Sequence, residues 1–239
     1  IKARYIVGLT STPQRRDGHQ PIIYMQIGPI RFRVDPRSQS AQRPFEHRLV
    51  VRETGFDPPE QASELTIQAL YGLLVTDENR NERIINDVLL AMEEGRSPIL
   101  LTERKNHLEH LHQRLKGFVR NIVVLKGGRS TKERLKAQEQ LASIPTAEER
   151  LLLATGRYIG EGFDDARLDT LFLSLPVSWK GTLVQYAGRL HRLHPGKHEV
   201  RIVDYVDGKV PMLARMFEKR LRGYRAMGYQ EEDRGSFLD

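Results

Sequence analysis

The segment Gln185-Tyr186-Ala187-Gly188-Arg189-Leu190-His191-Arg192 sets an amide and two guanidinium groups at spacings of four and three. On a helix turning about 100° per residue, Gln185, Arg189 and Arg192 fall within roughly 60° of one another. Leu183, Ala187 and Leu190 take the opposite side, so one face can bury while the other presents fixed positive charge. Such a fork suits a phosphoryl group in transfer, whose developing charge sits on its equatorial oxygens. Arginine fingers of this kind are worth about 10³–10⁵ in rate. The same residues also fit an ordinary basic helix face, and spacing alone leaves both readings open.

A second stretch, from Leu151 through Thr155 and Gly156 to Gly160, Glu161, Gly162 and Asp164, runs an apolar strand into a turn with three glycines. Glycine lets backbone N–H groups approach a phosphate, and a hydroxyl at a strand end can donate to one. Asp164 could accept from a ribose hydroxyl or from an arginine across a cleft. A plain strand-to-loop turn fits as well. Thr102 closes the apolar run Ile99-Leu100-Leu101, and Lys126-Gly127-Gly128 closes Ile122–Leu125. In a parallel sheet these ends emerge together with Thr155 on one edge. Hydroxyls, a lysine and open backbone there would follow a sugar-phosphate strand without reading bases. Each end alone is ordinary turn chemistry; their recurrence at successive strands is what favours a shared surface.

The elements that must position these groups follow one grammar from about Pro98 onward: a short apolar run, a turn, an amphipathic stretch. Strands are expected at 99–101, 121–125, 151–154, 169–173 and 200–205, and helices at about 131–141 and 179–190. A further helical pattern carries Leu108, Leu111 and Leu115, and Pro211 opens a last helix. Continuously apolar strands alternating with helices predict an α/β fold: a doubly wound parallel sheet with helices on both faces and ligand sites beyond the strands' carboxyl ends. The first third differs. Tyr5–Leu9 reads as an isolated strand, 31–34 and 47–51 as extended segments, and 61–94 as helical with a break near Asp77.

The chain has 239 residues, 39% hydrophobic and 29% charged, enough for one large domain. No apolar run approaches the ~20 residues of a membrane span, and the opening Ile1-Lys2-Ala3-Arg4-Tyr5 is not a signal peptide. The absence of cysteine excludes disulfides, thiolate metal sites and cysteine nucleophiles, and suits a reducing, cytoplasmic setting. The formal charge of +7 fits a polyanionic partner without requiring one. His107, His110, His112, His191 and His194 lack the carboxylate-plus-histidine set of a metal site, and are expected at the surface or an interface.

Taken in order, these residues resemble the C-terminal RecA-like lobe of superfamily 2 helicases, in the branch of the excision-repair transcription-factor helicase and type III restriction subunits. Gln185–Arg192 resembles motif VI, Thr155–Asp164 motif V, and Ile99–Arg104 motif IV. Gly8-Leu9-Thr10-Ser11-Thr12-Pro13 resembles motif III, with Ser11 where alanine is more usual. The resemblance implies that Arg189 and Arg192 are the fingers, with Gln185, Gly162 and Asp164 on the nucleotide side. Thr102, Lys126, Gly127, Thr155 and Gly156 would face the nucleic-acid backbone, and Thr10 and Thr12 would couple hydrolysis to lobe movement. No G-x-x-x-x-G-K-[ST] loop and no D-E-x-H or D-E-x-D motif occurs in the chain. The resemblance places both in an N-terminal lobe joined in cis, which would hold ATP and Mg2+. The fragment alone is then expected to be inactive, to bind no cofactor, and to be monomeric.

The expected division is therefore 1–18 as the motif III strand and remnant of the missing lobe, 19–60 as linker and extended segments, 61–228 as the C-terminal lobe and 229–239 as a polar tail. The remnant strand is expected to pack atypically or to pair with a neighbouring molecule. The nucleic acid is expected to be DNA before RNA. A rival reading is a degenerate helicase-like module that binds nucleic acid without hydrolysing ATP. A small-molecule α/β enzyme ranks last, because Gly156-x-x-x-Gly160-x-Gly162 lacks the G-x-G-x-x-G spacing.

Overall fold

The computed structural model describes residues 4–10, 20–35, 38, 41–127, 131–156, 158, 164–177 and 180–232. Among these, seven strands form one sheet: β1 (Glu46–Glu53), β2 (Pro98–Thr102), β3 (Ile122–Leu125), β4 (Leu151–Thr155), β5 (Thr170–Leu173), β6 (Glu199–Val206) and β7 (Gln230–Glu231). Their order is β3-β4-β2-β5-β6-β1-β7, and every pairing is parallel. The helices are α1 (Gln20–Ile27), α2 (Ile67–Thr76), α3 (Glu78–Glu93), α4 (Lys105–Leu115), α5 (Thr131–Ser143), α6 (Lys180–Leu190) and α7 (Pro211–Ala226), with a 3-10 turn at Glu60–Glu64.

The strands lie where apolar runs are continuous because both faces of the sheet are covered. All residues of β2, β4 and β5 are buried, as a strand between two helical layers requires. One face packs Leu49, Leu101, Leu152 and Ile202 against Leu183 and Ala187 of α6 and Leu141 of α5. The other packs Leu100, Leu153, Phe172 and Val203 against Ile84 and Val88 of α3 and Leu108 and Leu111 of α4. The helical region divides at Asp77, whose carboxylate caps α3 by accepting from the Arg80 amide at 2.7 Å. No helix among the described residues is long and apolar enough to cross a membrane.

The ends of the chain depart from the expected division. The segment at 47–51 belongs to β1, which pairs with β6 over eight residues, so the sheet reaches into the stretch read as linker. The same stretch holds α1, which the sequence pattern did not indicate, while 31–34 joins no strand. Tyr5, Ile6, Val7 and Leu9 are exposed and lie outside the sheet. At the other end Tyr229 is buried and β7 pairs with β1 within the stretch read as tail; 233–239 lie outside the described residues.

One buried ionic cluster fastens α7 to the sheet. Arg220 donates to both carboxylate oxygens of Asp204, at 2.7 and 2.9 Å, and the Tyr224 hydroxyl donates to Asp204 Oδ2 at 2.7 Å. Removing one partner strands a buried charge. Asp204→Ala should therefore lower the free energy of unfolding by about 3–5 kcal/mol, read from urea denaturation. A loss under about 1 kcal/mol, the worth of an exposed pair, contradicts the assignment.

Candidate functional site

Parallel strands force each connection to cross from the carboxyl edge of the sheet back to its amino edge. Two crossings carry most of the residues singled out above. One runs from β4 to β5 over residues 156–169, the other from β5 through α6 to β6 over 174–198. Each begins at the carboxyl edge and ends at the amino edge, so the candidate residues fall into two groups.

At the carboxyl edge the polar groups are occupied by one another. Thr102 is 2% exposed. Its hydroxyl lies 3.1 Å from His107 Nδ1 and accepts from the Arg104 amide at 3.3 Å. His107 Nε2 lies 3.0 Å from Asn81 Oδ1, and Asn81 Nδ2 donates to the Val75 carbonyl at 2.9 Å. Because the bond to that carbonyl fixes the Asn81 amide with its oxygen toward His107, and this oxygen can only accept, His107 carries its proton on Nε2 and accepts from Thr102. Burial, reinforced by Arg80 and His110, drives the His107 pKa down to about 3, so the ring is neutral. Thr102 is thus buried and braces α4, and His107 is a core residue, not a surface one. Gly127 likewise does not offer an open amide, since its N–H donates to Thr155 Oγ1 at 2.8 Å and Thr155 is 6% exposed. Lys126 pairs with the exposed Glu109 at 2.5 Å and keeps part of its side chain in solvent.

Gly156 is closely covered by two side chains. The Tyr186 hydroxyl donates to Glu103 Oε1 at 2.9 Å, and this bond passes over the Gly156 α-carbon, where a β-carbon would overlap both side chains. Burial, then the Glu103 charge, raises the Tyr186 pKa, which keeps it a donor. The turns after β2 and β4 are thereby tied to the middle of α6.

At the amino edge, α6 ends at Leu190, where the His191 amide turns back to the Gly188 carbonyl at 3.3 Å. Arg192 consequently lies beyond the helix, not on the face it was expected to share with Gln185 and Arg189. Its guanidinium makes two contacts of 3.0 Å with the Asp164 carboxylate. That pair is exposed, 57% at Arg192 and 47% at Asp164. The neighbouring Asp165 contacts the buried Arg150, just before β4, at 2.6 Å, which confirms that this segment has reached the amino edge. A ligand site beyond the strands' carboxyl ends therefore does not include Arg192 and Asp164. Gln185 and Arg189 are half-buried on α6.

His191 stacks on Tyr229 and bonds to its hydroxyl at 2.9 Å, with His47 edge-on to both rings. Burial first, then nearby cations, depresses His191 to about 3 and His47 to about 4, so both rings stay neutral in the core. Thr10 is exposed on the segment outside the sheet. Thr12 and Gly162 lie outside the described residues. Glu103, Tyr186, Asn81 and Lys197 were missed as site residues. The available signals were His107 on an apolar helix face, and a lysine following the Pro195-Gly196 turn.

A single parallel sheet, covered by helices on both faces, with motif-bearing segments crossing it edge to edge, defines a RecA-like α/β lobe. The crystal structure of T4 UvsW shares this fold, with a TM-score of 0.59 at 15% identity over 79% of this chain and 41% of that one. Residues 79–194 match the family described as helicase conserved C-terminal domain. The chain is 26% identical over 240 residues to "Putative helicase 161L" of Invertebrate iridescent virus 6, covering 95% of this chain and 51% of that protein. It is 24% identical over 208 residues to "Probable helicase D10" of Escherichia phage T5, covering 85% and 43% respectively. The chain thus spans about half the length of these relatives.

The crowding at Gly156 is testable by a double substitution. Gly156→Ala should cost about 1–3 kcal/mol of stability, as overpacking does. Adding Tyr186→Phe removes the obstructing hydroxyl, and the exposed Glu103 can swing aside. The double variant should then melt above Gly156→Ala alone. Strictly additive losses contradict the packing assignment.

Proposed function

We propose that this chain is the C-terminal motor lobe of an ATP-dependent helicase or translocase acting on nucleic acid. The observation that carries the reading is Arg192, an exposed guanidinium at the amino edge, on the segment whose Tyr186 contacts Glu103 over Gly156. The family match over residues 79–194 and the two relatives named as helicases support it.

In this reading an N-terminal RecA-like lobe in cis holds most of the ATP and its Mg2+. The donors of this chain fit the phosphate side of such a ligand: two guanidiniums and the Gln185 amide on one segment, with no acidic or histidine cluster suited to a metal among the described residues. ATP supplies the phosphoanhydride; Arg189 and Arg192 supply positive charge for its outer phosphates. Arg192 must exchange Asp164 for phosphate, at low cost because an exposed ion pair is worth about 0–1 kcal/mol. Nucleic acid, DNA before RNA, would lie along the carboxyl edge by Lys126. Thr102, Thr155 and Gly127 stiffen that edge and do not touch the strand. The crossing through α6 joins the two edges, so a shift at Arg192 reaches Gly156 through residues 187–191 and the Tyr186 side chain.

A second reading, a nucleic-acid-binding module without ATPase activity, is favoured by the Asp164 carboxylate that neutralises Arg192. Nucleic-acid-stimulated ATP hydrolysis by the full-length protein separates the two. Arg189→Ala and Arg192→Ala should each lower kcat by about 10³-fold or more, with the KM for ATP largely kept. Wild-type turnover in both variants refutes the motor reading. No hydrolysis in the wild type, with nucleic acid still bound, selects the second.

A further inference from the structure

The ammonium of Lys197 sits among four main-chain carbonyls. Its nitrogen lies 2.7 Å from the carbonyl oxygens of Ala166 and Leu168, 2.9 Å from that of Arg192 and 3.1 Å from that of Leu190, so its three hydrogens serve four acceptors with one hydrogen shared. The first two acceptors end the crossing from β4, and the other two end α6 and the turn after it. Lys197 itself is 8% exposed, with the Phe45 ring 5.9 Å from its ammonium. A cation at a helix carboxyl end satisfies carbonyls that have lost their helical partners. Here it also satisfies two carbonyls of a different segment. Burial draws its pKa down to about 8 against the pull of Asp169 and Asp165, which leaves it charged at neutral pH.

The acceptors lie close to the two groups that matter. One is the carbonyl of Arg192 itself; another belongs to Ala166, two residues from Asp164. The Arg192–Asp164 pair is exposed and weak, so it cannot by itself fix where either side chain begins. The buried ammonium can, because it holds both backbones at once.

We propose that Lys197 is the positioning residue for Arg192, a main-chain clamp that locks the end of motif VI against the end of motif V so that the guanidinium starts from one defined point. The proposal rests on the ATPase reading above, and deepens it by naming what aims the finger. Lys197 touches neither nucleotide nor nucleic acid in this account.

The test is a double-mutant cycle in the full-length protein, read by nucleic-acid-stimulated ATP hydrolysis. Lys197→Met keeps the stem and removes charge and donors; kcat should fall about 10²-fold, as misplacement of a catalytic group does, with the KM for ATP and nucleic-acid affinity kept. Lys197→Gln returns two N–H donors and should recover part of the loss. In an Arg192→Ala background, Lys197→Met should cost little more, because the group it positions is gone. Equal fold losses in both backgrounds show a merely structural role and overturn the proposal, as does wild-type turnover in Lys197→Met. Should Lys197→Met fail to fold by circular dichroism, Lys197→Gln carries the same cycle with the same outcomes. An Arg192→Ala variant with unchanged turnover refutes the finger role of Arg192 instead, and the positioning role falls with it.

Discussion

Strands that all run one way cannot be joined by short hairpins, and this constraint organises the molecule. Every connection must recross the sheet, about five residues of strand in depth, before the next strand can begin. A motif lying on such a connection is therefore stretched between two edges. The segment that starts at Thr155 ends at Asp164 and Ala166, and the segment that contains Tyr186 ends at Arg192. Two separate faces are linked by the same pieces of chain, which is the arrangement a machine needs to convert an event on one face into movement on the other.

The two edges differ in electrostatic character. At the carboxyl edge the Thr102–His107–Asn81 chain and the Thr155–Gly127 bond consume polar groups internally, in surroundings dry enough to keep His107 neutral. Buried, satisfied networks of this kind rigidify. At the amino edge, Arg192 and Asp164 remain in solvent, where their attraction is small and a competing anion can displace the carboxylate. Rigid backbone with an exchangeable side chain is a sound basis for sensing a phosphate.

Much of the fold was legible in the residues because burial on both faces leaves a direct trace: β2, β4 and β5 are uninterrupted apolar runs. β1 left no such trace. Its sequence Glu-His-Arg-Leu-Val-Val-Arg-Glu mixes charge with aliphatics, and its partner β6 lies some 150 residues away, so local pattern gave an extended segment at 47–51 without placing it in the sheet. The candidate residues stood out by type, but the contacts they make did not. Gly156 stood out, but the Tyr186–Glu103 bond that demands it joins residues 83 apart. Thr102 had the right type for a phosphate contact, yet the histidine five residues on claims its hydroxyl. Helical arithmetic carried Arg192 onto the face of Gln185, whereas the chain leaves the helix two residues earlier. Lys197, which secures that departure, belongs to no motif recognised in the sequence.

The central claim is that nucleotide and nucleic acid address opposite edges of one sheet, joined by the two crossings. Hydrogen–deuterium exchange on the full-length protein tests it most directly, with a non-hydrolysable ATP analogue and a nucleic-acid strand added separately. The account predicts that the analogue slows exchange at residues 164–168 and 188–194, and that the strand slows it near Lys126 and Glu109. Protection of the Lys126 region by the analogue, with 188–194 unaltered, would contradict it.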